Sequence, residues 1–158
     1  MRVTADFECG NGKNIVEVAP GQFRLEEVGE KAPYCKYFCV RVDGGAEGGL
    51  AKLLIYPDPL LGEAGRVGFI GHYSSQLWMS TQEMTFWQPI NNRLQGADVF
   101  REDHIETTVP VAAGASVYVA SNPVWPYAQL IAWAAQLPAR GVEVAPLGTS
   151  FQGRPIPR

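Results

Sequence analysis

His72 and His104 are the only histidines of this chain, and imidazole is the side chain best suited to hold a metal ion or move a proton near neutral pH. His72 stands in GHYSS, directly after an apolar run. No acid or nucleophile is placed beside it by spacing, so it reads as a hydrogen-bonded or solvated loop residue. His104 and Glu106 would share one face of a strand at i, i+2, which is half of a metal site. Polar alternation on a surface strand explains the pair equally well, because zinc sites take three or four protein ligands. Cys35 and Cys39, four apart on an extended run, would stand about 13 Å from each other. That is too far for one ion without a bulge, and buried apolar cysteines are the default reading.

Other chemistries are poorer still. GTS at Gly148–Ser150 lacks the G-x-S-x-G elbow that exposes a nucleophilic serine. The glycines at 44, 45, 48 and 49 do not lead into a helix carrying GK[ST], so they build no phosphate loop. Trp78, Trp87 and Trp125 could form an aromatic platform for a sugar, although core and interface packing is the commoner use of such side chains.

Short strands must position these residues. From Met1 to Ala120 the chain is punctuated by Gly and Pro, and the segments between are β-branched or aromatic and often alternate. Val3, Ala5 and Phe7 alternate with polar neighbours. Ile15–Val18, Phe23–Val28 and Tyr34–Val42 follow, and in the last of these both faces are apolar, as in a central strand. DGGAEGG, Asp43–Gly49, reads as a loop between antiparallel strands, with Leu50–Tyr56 returning. Val67–Ile70, Leu77–Met79, Met84–Trp87, Ile105–Val111 and Ser116–Ala120 complete the pattern. About nine short strands with no helix between them predict a mainly β fold, an antiparallel β-sandwich, followed by one C-terminal α-helix and a short strand.

The helix signal lies in PVWPYAQLIAWAAQLPARG. Leu130, Ile131, Ala134 and Leu137 recur at helical spacing, Pro126 suits a first turn, and Pro138 with Gly141 ends the run. Ser121 and Asn122 offer a helix cap where the β pattern stops. This places a sandwich domain at 1–121 and a second segment at 122–158. The apolar set Trp125, Leu130, Ile131, Trp133 and Leu137 reads as a domain or partner interface.

Composition sets the remaining limits. The chain has 158 residues, 46% hydrophobic and 18% charged, with a net charge of −3. The basic residues are scattered, which disfavours nucleic acid as a partner. No apolar run approaches the ~20 residues of a membrane helix, and the N-terminus lacks the apolar core of a secretory signal. Three cysteines at spacings that fit no disulfide framework suit reduced thiols. The expectation is a cytoplasmic protein with no membrane segment.

LGTSFQGRPI, Leu147–Ile156, closely resembles the segment that opens the catalytic sheet in zinc metallocarboxypeptidases of the carboxypeptidase A (M14) superfamily, with Gln152 where that family often has Glu. PVWPYAQLIAWAAQL resembles the PY-containing helix that precedes this segment in the cytosolic carboxypeptidase branch. DFECGNGKNI, Asp6–Ile15, is similar to the FESGN stretch that begins the N-terminal sandwich of that branch, and KYFCVRVDG, Lys36–Gly44, to its W-x-F-x-V strand. The matches occur in the family's order. They imply an N-terminal sandwich joined to an α/β catalytic domain that removes C-terminal residues from peptides or protein tails. In the family, zinc is held by an H-x-x-E motif and a later His, with a downstream Glu as general base.

None of those residues carries over to this chain. His72 is followed by Tyr73, Ser74 and Ser75, and His104 by Ile105, Glu106 and Thr107, so neither supplies the motif. The resemblance therefore implies a non-catalytic N-terminal sandwich domain, with 122–158 as the helix and first strand of a truncated carboxypeptidase catalytic domain. The chain alone is expected to be inactive and to hold no cofactor, zinc belonging to a full-length parent. Its expected partner is the catalytic domain, in cis or in trans, with self-association if the helix face stays uncovered. The alternative is a stand-alone β-sandwich module that binds a glycan or protein ligand.

Overall fold

The computed structural model describes residues 1–28, 37–59, 77–90, 104–150 and 153–157. The expected strand Val67–Ile70 and the residues Tyr34, Cys35 and His72 lie outside them. The described residues are mainly β, and the chain divides into two compact units, Met1–Val124 and Trp125–Arg158. None of its described helices is long and apolar enough to cross a membrane.

In the first unit, strands β1 (Arg2–Thr4), β4 (Cys39–Asp43), β9 (Ser116–Ala120), β6 (Trp78–Ser80) and β7 (Gln88–Pro89) form a five-stranded sheet in the order β1-β4-β9-β6-β7. Strands β2 (Lys13–Ala19), β3 (Gln22–Glu26), β5 (Gly49–Tyr56) and β8 (Ile105–Val111) form a second sheet in the order β2-β3-β5-β8. The two inner faces supply one core. Val40, Val42, Val117 and Val119 from the first sheet cluster with Phe23, Leu25, Leu53, Ile55, Ile105 and Val109 from the second. Burying each such side chain contributes roughly 1.5–3 kcal/mol, and the alternation that does so is legible in IETTVPV, where Ile105, Thr107, Val109 and Val111 are buried and the residues between are not.

One connection differs from the sequence expectation. Asp43–Gly49 does not join antiparallel neighbours, because β4 and β5 belong to different sheets. The Ala113–Gly114 turn likewise carries the chain from β8 in one sheet to β9 in the other. A period-two pattern shows which face of a strand is buried but not which strand it pairs with. The two crossings lie against each other: Gly114 N–H donates to Gly45 O at 2.7 Å and Gly44 N–H to Ala115 O at 2.9 Å. Gly48 is held at φ +67°, and a Cβ there would meet Val111 O at 2.6 Å. The glycine run is thus required by close backbone approach as well as by turning.

The sandwich is also not wholly antiparallel. β3 and β5 pair in parallel, from Gln22 opposite Lys52 to Glu26 opposite Tyr56. The chain leaves the second sheet after β3, enters the first at β4 and returns at β5, so the two strands arrive with the same polarity. Tyr34–Val42 is shorter than expected within the described residues, beginning as β4 at Cys39, although its central place between β1 and β9 agrees with its two apolar faces. Met84–Trp87 is not a strand. Glu83 and Met84 have φ of 48° and 62°, and this left-handed turn drives Met84 into a second apolar cluster.

That cluster lies on the face of the five-stranded sheet opposite the main core. It comprises Cys39, Met84, Tyr118 and Ala120, with Phe7, Tyr37, Trp87 and Val124 packed against it. Phe7 meets Tyr118 edge to face with centroids 5.4 Å apart, a preferred aromatic geometry. Asn11 pins the neighbouring turn, its side-chain N–H donating to Tyr37 O at 2.5 Å. Asn11 N–H also donates to Cys39 O, and Cys39 N–H to Asn11 O.

In the second unit, helix α1 spans Tyr127–Ala134. Its N-cap is Pro126, in extended conformation with no side-chain cap bond, and not Ser121 or Asn122. Ser121 is used by the sheet: its N–H donates to Phe38 O and its Oγ accepts Phe38 N–H. After α1 a 3-10 turn at Pro138–Arg140 closes on Gly141, whose φ is 76°. The expected single short strand is two strands, β10 (Pro146–Thr149) and β11 (Pro155–Pro157), paired as an antiparallel hairpin.

Candidate functional site

His104 and Glu106 do share a face, with Nε2 and Oε1 3.2 Å apart, and their described neighbours form a charged and aromatic network. Glu106 pairs with Lys52 Nζ at 2.9 Å. The His104 ring stacks on Tyr56 with centroids 4.7 Å apart, and the Arg24 guanidinium lies over Tyr56 at 4.6 Å while pairing with Glu26. The pair belongs to a cross-strand network of charges and rings on the outer face of the four-stranded sheet. Among the described residues no three His, Cys, Asp or Glu side chains gather in a way that could hold a metal. The described residues therefore do not fit zinc.

Cys39 is fully buried. Burial, and then the neighbouring Cys9 sulfur, push its thiol up to about 12, against a smaller lowering by the Tyr37 hydroxyl. Burial likewise raises Tyr37 far above the usual phenol range, with Cys39 and Cys9 adding to the rise. A thiol held protonated in this way is a poor nucleophile at neutral pH. The Trp87 indole N–H donates to Val124 O at 2.9 Å and its ring packs on the second cluster. Trp78 is half-buried in β6, and Trp125 lies in the other unit. These uses favour packing for Trp87 over a sugar platform.

The unit Trp125–Arg158 holds the remaining predicted residues. Trp125 and Trp133 come together, ring centroids 5.4 Å apart and tilted by 55°, and they are 49% and 44% exposed. Ile131 is also exposed, while Leu130 and Leu137 are half-buried. Leu130 does not join the tryptophans. It lines an open cleft with Tyr127, Ser150, Arg154 and Ile156. Leu137 follows the helix, its carbonyl accepting N–H bonds from Arg140 and Val142. Among the described residues of this unit only Pro126 and Ala134 are buried, and Val142, Leu147 and Ile156 are exposed as well.

Two residues that hold this unit together were not singled out from sequence. The Tyr127 hydroxyl donates to Pro155 O at 2.9 Å, and the Arg154 guanidinium lies 5.3 Å from the Tyr127 ring centroid. The hairpin end is tied by Ser150, whose N–H donates to Arg154 O and whose Oγ accepts Arg154 N–H. Gly153 takes φ 74° there, a conformation that suits glycine. The available signal was the pairing of PY at the helix start with GRP at the hairpin.

No family model and no curated protein matches the sequence. Solved structures do match the fold. A Shewanella denitrificans protein assigned as a carboxypeptidase A has a TM-score of 0.71 and 16% identity, the match covering 99% of this chain and 39% of that one. A metallo-carboxypeptidase from Pseudomonas aeruginosa, solved with (2-guanidinoethylmercapto)succinic acid, has a TM-score of 0.69 and 22% identity over 99% of this chain and 39% of its own. One from Burkholderia cenocepacia has a TM-score of 0.68 and 19% identity over 99% and 38%. This chain thus shares the fold of a part of these metallo-carboxypeptidases and spans about two-fifths of their length.

Proposed function

We propose that this chain is the non-catalytic N-terminal part of a zinc metallocarboxypeptidase of the cytosolic branch, an enzyme that removes C-terminal amino acids from peptides or protein tails in the cytoplasm. The observation that carries the reading is the fold match, which takes in 99% of this chain but 39% of the Pseudomonas aeruginosa metallo-carboxypeptidase. Sequence supports it independently: LGTSFQGRPI, the segment resembling the opening of the family's catalytic sheet, overlaps both β10 and β11.

On this reading the sandwich is non-catalytic, and zinc is held by residues outside the chain described here. Trp125, Leu130, Ile131, Trp133 and Leu137 contribute to the surface on which the rest of the catalytic domain packs, in the same polypeptide or as a second chain. The physical support is the scarcity of buried side chains among the described residues of Trp125–Arg158. A two-stranded hairpin beside a helix of eight residues is marginal by itself and gains stability by being covered.

The test is an activity assay on the 158-residue chain with added zinc and peptides ending in Glu, Lys or Leu. The expected result is no metal-dependent release of the terminal residue. Reproducible release that a chelator abolishes would overturn the non-catalytic assignment.

A further inference from the structure

We draw no further inference here: the strongest candidate, the open apolar cleft of about 270 Å3 that helix α1 and the β10–β11 hairpin form around Tyr127, Leu130 and Ile156, carries nothing further because nothing in the structure shows what covers it.

Discussion

The buried thiol of Cys39 makes the protein's stability depend on alkaline pH in a defined direction. Its folded value is raised from an ordinary value near 9 to about 12, so between those limits the native state retains a proton that the unfolded chain has released. Stability from this group is fully present below pH 9 and falls as pH rises through the window, by up to about 1.4 kcal/mol per pH unit. Urea denaturation of the wild type and Cys39→Ala between pH 9 and 11 should give a shallower decline in the variant. Equal slopes would remove Cys39 as a source of the decline. Tyr37 titrates in the same direction, so neither slope should reach zero. Residue chemistry was legible in part from sequence. Reading the cysteines as apolar packing residues holds for Cys39, because its strand has two apolar faces. The role of Asn11, which bonds across to Tyr37 and Cys39, was not legible, because its partners stand 26 and 28 residues away and no local pattern encodes them.

Elements were easier to recognise than the way they join. Alternation located the strands of the core, from Phe23 and Leu25 to Val117 and Val119, since burial on one face leaves a period of two in the sequence. It could not show that DGGAEGG crosses between sheets, nor that β3 and β5 run parallel, because pairing depends on the path of the whole chain. Met84–Trp87 misled for a related reason: Met84 and Trp87 serve a turn packed on the second cluster, and Phe86 is exposed. In the C-terminal unit the helix was legible from its spacing and its prolines, whereas its link to the hairpin runs through the Tyr127 hydroxyl and ring, which no local pattern encodes. Tyr127→Phe removes the bond to Pro155 O and keeps the ring beside Arg154, at a cost of about 0.5–1.5 kcal/mol. Hydrogen exchange at the Ser150 and Gly153 amides should quicken roughly threefold to tenfold, while amides of β4 and β9 keep their protection. Unchanged exchange at the hairpin would show that the hydroxyl does not hold it.

At the scale of the molecule, one unit has a core built from two sheets and the other leaves most of its described large apolar residues exposed. Trp125, Ile131, Trp133, Val142, Leu147 and Ile156 are all exposed, and solvent-facing apolar surface of this kind drives association when it forms a contiguous patch. Light scattering on the chain should therefore give a mass that rises above 17.3 kDa with concentration. Replacing both Trp125 and Trp133 with Glu should lower it. A strict monomer at high concentration would contradict an uncovered surface. The proposal that these residues form the front part of a zinc carboxypeptidase is open to a direct check in the coding sequence that follows the codon for Arg158. An H-x-x-E motif is expected within a few tens of codons, or in a neighbouring frame that encodes the complementing chain. A stop codon with no such frame nearby would contradict it.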